Sequence, residues 1–372
     1  MSEFSSADHT HMARALQLAQ RGLYTTHPNP RVGCVIVRDG KVVGEGWHER
    51  AGQPHAEVYA LRNAGELARG ADVYVTLEPC SHFGRTPPCA DALVIAGVRR
   101  VVVAMQDPNP QVAGRGLERL RQDGIETAVG LLEEEAKALN PGFISAMQRQ
   151  RPFVRIKMAM SLDGRTAMAS GESVWITGDA ARRDVQFWRA QAGAVLTGIG
   201  TVLFDKPSLN VRLTAEQLGI VSTVRQPDRV ILDSALRFPE DASLLKLSGR
   251  VRIYTCSGDA GKIDRLQQAG VLIRQFPGQQ PELAAVMSAL YEDGINEVHV
   301  EAGATLSGQL IAGGFADELL IYMAPHLMGS SARPLFQLPL QQMQERLGLE
   351  IKDIRALGDD WRIQATLKKV TQ

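Results

Sequence analysis

The 372-residue chain has no excess of charge of either sign, since 41 Lys+Arg balance 41 Asp+Glu. A broad field that would gather a polyanion such as tRNA or DNA is therefore not expected, and the balance speaks only to a broad field, not to a local patch. No apolar run reaches membrane-spanning length, and Met1-Ser-Glu-Phe-Ser-Ser-Ala-Asp8 lacks the basic and then apolar pattern of a signal peptide. A cytoplasmic protein without membrane contact is expected. Cysteine is scarce as well. Cys34, Cys80, Cys89 and Cys256 are too few and too scattered for a disulfide framework, which leaves thiol or metal roles. Cys34 and Cys256 end or interrupt apolar runs and are expected as buried small hydrophobes. There is no internal repeat or low-complexity tract, and 44% apolar with 22% charged residues gives no sign of disorder.

The length is too great for one ordinary core, and two domains are expected. Met12, Ala15, Leu16, Ala19 and Leu23 follow helical spacing behind a cap at Asp8 or Thr10. Val32–Val37 and Val42–Trp47 flank Asp39-Gly40, the signature of a hairpin with a type I′ turn. Pro54 opens a helix from about His55 to Leu67. Strands over 72–77, 100–105 and 125–129 then alternate with helices over 90–96, 117–122 and 131–139, predicting a helix-covered, largely parallel sheet. The polar stretch Gln148-Arg-Gln-Arg-Pro152 marks the boundary, with domains over 1–149 and 150–372. A second alternating series follows, with strands at 153–158, 194–197, 229–232, 251–255, 271–275, 297–300 and 318–324, and a final pair at 351–356 and 361–367.

His55, Cys80 and Cys89 are the residue types of a zinc site with three protein ligands and one open position. Glu57, two residues from the histidine, is placed to take a proton from water at the open position and return it to a leaving amine. Zinc-dependent nucleobase deaminases carry His-x-Glu followed by Pro-Cys-x-x-Cys, whereas here Ser81-His-Phe-Gly-Arg-Thr-Pro-Pro88 separates the two thiols. A structural zinc knuckle or two core thiols would use the same residue types. Pro54 before the histidine, Pro79 before the first cysteine and a strand between them favour the catalytic reading.

His27-Pro-Asn-Pro-Arg-Val-Gly33, His55-Ala-Glu57, Thr76-Leu-Glu-Pro-Cys-Ser-His82 with Gly84-Arg-Thr-Pro-Pro-Cys89, and Asp107-Pro-Asn-Pro110 resemble the deaminase half of the bifunctional riboflavin-biosynthesis deaminase/reductases. In that family the wide cysteine spacing is the normal form. Lys157-Met-Ala-Met-Ser-Leu-Asp-Gly-Arg165, Gly171-Glu-Ser-Val-Trp-Ile-Thr177 and Glu301-Ala-Gly-Ala-Thr-Leu306 carry the resemblance into the second half. The resemblance implies a cytidine-deaminase-like α/β/α domain followed by a dihydrofolate-reductase-like α/β domain. It implies one zinc ion per chain, NADPH, and a small phosphorylated pyrimidine, 2,5-diamino-6-ribosylamino-4(3H)-pyrimidinone 5′-phosphate. That substrate would first lose its ring amine and then have its ribosyl chain reduced to ribityl. The resemblance also suggests a dimer formed through the second domain.

By matched position, Asn29, His48, His82, Arg85 and Asp107 fall to the deaminase substrate, with Arg85 offering a cationic fork to the phosphate. Asn29 would also serve simply to shape the Pro-Asn-Pro turn, and Arg85 simply as a solvated charge. Ala159, Trp175, Thr201, Asp205, Ser234 and Gly303 fall to NADPH, and Lys157, Ser173, Arg189, Leu209, Arg212 and Glu301 to the reductase substrate. From the residues alone, the strand ending in Glu301 runs through Gly303 into a helix whose N-terminus suits a nucleotide phosphate. Gly198-Ile-Gly200 lacks the third glycine of a Rossmann fingerprint, so a dinucleotide fold of that type is not supported. The competing reading of the whole chain is an RNA-acting zinc deaminase with a C-terminal binding module, which the neutral charge disfavours.

Overall fold

Asp39 and Gly40 both take positive φ, 51° and 73°, as a type I′ turn requires, and join β1 (Gly33–Arg38) to β2 (Lys41–Trp47). The computed structural model describes residues 4–81, 88–110 and 112–368. The chain divides into two compact units, one holding the residues up to Gln150 with Gly219–Ser222, the other Arg151–Leu218 with the residues from Thr223 on.

In the first unit the hairpin follows α1 (Ser6–Gln20) and is followed by α2 (Ala56–Ala64) and β3 (Asp72–Val75). Next come α3 (Cys89–Ala96), β4 (Arg100–Val103), α4 (Arg115–Gln122) and β5 (Glu126–Val129), then α5 (Glu133–Leu139) and α6 (Pro141–Arg149). The sheet order is β2-β1-β3-β4-β5, antiparallel at the hairpin end and parallel over β3, β4 and β5. The cap of α1 is Ser5, not Asp8 or Thr10; Asp8 is the third helical residue and closes a capping box with Ser5. Residues 141–149 form a helix that the sequence pattern does not predict, running into the polar stretch expected at 148–152, because Pro141 occupies a helix-opening position.

Val35, Ile36, Val73, Val75, Val101 and Val103 are fully buried between the helices. Gly33 is required by the α1 contact: a Cβ there would lie 2.0 Å from the Ala15 carbonyl oxygen. Gly33→Ala is expected to lower the stability of this unit by about 3 kcal/mol, the upper end for overpacking against rigid backbone. Thermal unfolding of the variant checks this, and an unchanged first transition would contradict it.

The second unit begins with β6 (Phe153–Ser161), β7 (Arg165–Ala167), α7 (Asp179–Gln191), β8 (Ala194–Gly198) and α8 (Ile199–Asp205). Then follow α9 (Ala215–Leu218), β9 (Asp228–Leu232), β10 (Val251–Thr255), α10 (Ala260–Gln268), β11 (Leu272–Gln275) and α11 (Leu283–Glu292). It ends with β12 (Glu297–Val300), α12 (Ala304–Ala312), β13 (Glu318–Ala324), β14 (Arg333–Pro334), β15 (Leu349–Leu357) and β16 (Asp360–Leu367). Nine strands form one sheet in the order β11-β10-β9-β8-β12-β6-β13-β16-β15, parallel through β13 and antiparallel at β16 and β15. After β6 the chain builds outward from β8 to β11, then returns to insert β12 between β8 and β6. That reversal is where such sheets open a crevice at their carboxyl ends.

Strand alternation divides the sheet's residues between its faces. Val154, Ile156, Leu196, Val298 and Val300 belong to one large apolar cluster. The other face carries two smaller clusters, around Ile231 and Ile253 and around Val185 and Tyr322. Between these, register pairs His299 with Arg155 and Val195, so this face carries a polar strip that leads along β6 to Lys157.

Candidate active sites

His55 caps the N-terminus of α2, and Cys89 is the first residue of α3. This brings three distant residues together. The Nδ1 atom of His55 lies 3.6 Å from Cys80 Sγ and 3.3 Å from Cys89 Sγ. All three donor atoms lie within 4.8 Å of one another. A tetrahedral zinc with Zn–S of about 2.3 Å and Zn–N of about 2.0 Å sets its sulfur and nitrogen ligands about 3.5 Å apart, so the donors fit that ion as they stand.

The N–H of Cys89, at the start of a helix, donates to Cys80 Sγ at 3.3 Å. The Cys80 thiol is held well below its usual range, chiefly by the hydrogen bond from the Cys89 thiol, which is itself pushed up. Glu57 sits in the first turn of α2, buried beside them, and burial pushes its carboxyl up to about 7.

His48 and Asn29 continue the site. The carbonyl of Pro54 only accepts, so His48 Nδ1 carries the proton it donates there at 3.0 Å, leaving Nε2 to accept from Asn29 Nδ2 at 3.0 Å. Burial lowers the His48 imidazole, in keeping with a neutral ring. The ring stands edge-on to His55 with centroids 5.6 Å apart. Asp107 lies on the loop after β4, half-buried, with Oδ1 accepting the Asn109 N–H at 2.8 Å. His82 and Arg85 lie outside the described residues. Cys34 is a fully buried strand thiol, whereas Cys256 is only partly buried; its Sγ donates to the Pro277 carbonyl, because it follows the last residue of β10 into a loop.

In the second unit a cavity of about 1390 Å³ opens along the carboxyl ends of β6, β8, β9 and β12. All twelve residues matched to NADPH or the reductase substrate line it. Arg189 and Glu301 form a buried bidentate pair, Nε to Oε1 at 2.5 Å and Nη2 to Oε2 at 2.8 Å, and Arg189 Nη1 donates to the Asn210 carbonyl. Burial raises the Glu301 carboxyl, but the Arg189 charge and its hydrogen bonds outweigh this and hold it well below the usual carboxylate range.

Lys157 is pulled down by burial against the attraction of Glu301. Asp205, at the rim, is pushed up by desolvation. Leu209 is buried in an apolar cluster at positive φ, and Arg212 is exposed. Trp175 is 72% exposed and carries the Arg182 guanidinium 4.5 Å from its ring centroid.

Gly303 caps α12, whose first turn has no side-chain cap, and nothing lies within 4 Å of where a Gly303 Cβ would stand. That open helix start at the cavity wall fits a nucleotide phosphate.

Two residues escape the sequence reading. His299 is fully buried with Nε2 3.6 Å from Glu301 Oε1, and burial pushes it down to about 3, so the ring is neutral. Glu78 is buried and bonded wholly to backbone N–H groups among the described residues. Only its place in Thr76-Leu-Glu-Pro-Cys80 signals it, since its partners lie 29 to 39 residues away.

Residues 5–105 match the cytidine and deoxycytidylate deaminase zinc-binding region, and residues 152–363 match the RibD C-terminal domain. The riboflavin biosynthesis protein RibD of Escherichia coli is 51% identical over 359 residues, 95% of this chain and 97% of that protein. That of Haemophilus influenzae is 49% identical across the whole of both. A solved structure of Acinetobacter baumannii RibD superposes with a TM-score of 0.91 at 48% identity, covering 98% of this chain and 99% of that one. A Thermotoga maritima structure, described as a diaminohydroxyphosphoribosylaminopyrimidine deaminase/5-amino-6-(5-phosphoribosylamino)uracil reductase, gives 0.85 at 33% identity over 97% of this chain and 99% of its own. The RNA-acting alternative falls, because the second half matches a RibD domain rather than a binding module. No described helix is long and apolar enough to cross a membrane. With both halves matched and relatives alike over nearly their full lengths, the chain belongs to the RibD family of bifunctional riboflavin-biosynthesis enzymes, a zinc-dependent deaminase and an NADPH-dependent reductase in one polypeptide.

Proposed function

We propose that His55, Cys80 and Cys89 hold the zinc of the deaminase and that Glu57 is its proton carrier. The substrate of this reading is 2,5-diamino-6-ribosylamino-4(3H)-pyrimidinone 5′-phosphate. The observation that carries it is the convergence of three donors on one point beside a buried carboxylate. Zinc, when bound, supplies the Lewis acidity that makes water a nucleophile near neutral pH. Glu57 takes a proton from the attacking water at a carboxylate oxygen and passes it to the ring amine, which leaves as ammonia while the water oxygen stays on the ring carbon. Asn29, ordered by His48, and Asp107 hold the pyrimidine, and His82 and Arg85 belong to the same reading by sequence match. Zinc content tests the ligand set: one equivalent per wild-type chain and loss in Cys80→Ser are expected, and full zinc in the variant would remove Cys80.

In the cavity of the second unit NADPH, when bound, would supply the hydride. Gly303 at the α12 start, with Ala159, Trp175, Thr201, Asp205 and Ser234, forms the cofactor wall, and Ser173, Leu209 and Arg212 the substrate wall. The Arg189–Glu301 pair sets a fixed carboxylate charge whose attraction is felt at Lys157, the ionisable residue of the substrate wall.

This reading includes a cytoplasmic protein and a dimer formed through the second unit. The bulge between Ile351 and Asp353 keeps Leu349, Ile351 and Ile354 on the sheet face of Trp361, Ile363 and Ala365. That face is core at Leu319 and Ile321, yet Ile351 and Ile354 on β15 and Trp361 on β16 are exposed, and apolar continuity with a core suits a second copy. Ile354→Lys is expected to shift the protein from dimer to monomer in sedimentation, and a wild-type monomer would contradict the interface.

A further inference from the structure

We infer that Glu78 is a positioning residue of the deaminase, a single buried carboxylate that fixes the Asp107 loop against the loop of the metal ligand Cys80. This inference rests on the reading of Asp107 as a substrate contact. Glu78 is 3% exposed. Its Oε2 accepts the N–H groups of Asp107 at 3.1 Å and Gly114 at 3.0 Å, and its Oε1 those of Gly116 at 2.9 Å and Leu117 at 3.3 Å. Its own N–H donates to the Met105 carbonyl at 3.0 Å.

A buried carboxylate is costly unless hydrogen bonds satisfy it, and here peptide groups and the start of α4 do so. Three segments therefore meet at one side chain: Pro79–Cys80, the loop carrying Asp107, and the first turn of α4. They meet without slack, since a Cβ on Gly116 would lie 2.0 Å from the Pro79 carbonyl oxygen and 3.2 Å from Glu78 Oε1.

The Glu78 side chain bonds the Asp107 loop directly and reaches the Cys80 loop only through the chain. Cys80 has other anchors, because its Sγ accepts the Cys89 N–H and its carbonyl accepts the Ala90 N–H at 3.1 Å. The Asp107 N–H is bound by Glu78 directly. Disturbing Glu78 therefore moves substrate recognition before it moves metal binding.

A double-mutant cycle on the zinc-loaded full chain tests this, using Glu78→Gln, Asp107→Ala and both together. The amide keeps the shape of Glu78 but turns an NH₂ toward one pair of N–H donors, so that pair of bonds is lost. Glu78→Gln is expected to keep one zinc per chain and full NADPH oxidation on the deaminated substrate. Its deaminase KM rises about tenfold with kcat within about threefold, and in the Asp107→Ala background it adds less than about twofold.

Additive effects, or loss of zinc, would overturn the inference while leaving Asp107 in place. Asp107→Ala with wild-type KM would overturn the reading of Asp107 and the inference with it. Should Glu78→Gln not yield folded protein, Glu78→Asp, which keeps both acceptor oxygens one methylene short, takes its place in the cycle with the same expected split.

Discussion

Replacing Glu57 by Gln is expected to lower the rate of ammonia release by about 10³-fold, within the range for losing a positioned proton carrier. The substitution keeps the size of a side chain that is only 3% exposed, so packing in α2 is preserved. His55, Cys80 and Cys89 are untouched, and zinc content should stay at one per chain. NADPH oxidation on the already deaminated substrate should stay at the wild-type rate, because every residue lining the reductase cavity belongs to the second unit. Parallel zinc, ammonia and NADPH measurements separate these outcomes. Full ammonia release by the variant would remove Glu57 from the mechanism.

The converse result is expected for Glu301→Gln. Its carboxylate is the bidentate partner of Arg189, which is buried while Glu301 is partly buried at the cavity wall, so the variant leaves a buried guanidinium without its counter-charge. Breaking such a pair costs about 3–5 kcal/mol, an expected fall of roughly 10 °C in the unfolding of the second unit. NADPH oxidation should fall with it while ammonia release survives.

The pH dependence has a definite sign. A carboxyl held below its usual range contributes stability that is complete above its unfolded value of about 4.3 and is lost as pH falls toward the lower folded value. The gap in stability between wild type and Glu301→Gln should therefore be constant from about pH 6 to 8 and shrink below about pH 4. A gap that widened in acid would contradict the ion-pair assignment.

What the sequence makes legible follows from the range of each interaction. The Asp39-Gly40 turn and the strands at 251–255 and 318–324 are local patterns, and each is found where the pattern lies. The cap of α1 is misread because Asp8 and Ser5 both suit a helix start, and only the reciprocal bonds show which residue stands outside it. Helix α6 falls between the helix expected at 131–139 and the polar stretch at 148–152, where no element is expected, although Pro141 stands at a position that opens helices.

Among the site residues, the residue types of His55, Cys80 and Cys89, with Pro54 and Pro79 before two of them, suggest a metal without any tertiary knowledge, although the gap between the thiols departs from the common deaminase signature. The Asn29–His48 hydrogen bond, the bridging of loops by Glu78 and the neutral His299 under Glu301 depend on strands and loops meeting. No periodicity encodes such meetings.

One chain carries out two ordered reactions on one small substrate, deamination and then reduction. Mixing zinc-loaded protein, the undeaminated diaminopyrimidinone phosphate and NADPH, with ammonia and nicotinamide absorbance followed together, tests it most directly. The expected result is one NADPH consumed per ammonia released, with NADPH loss lagging behind ammonia and absent in Glu57→Gln. NADPH loss without ammonia release, or ammonia release with no NADPH loss, would contradict two ordered reactions in one chain.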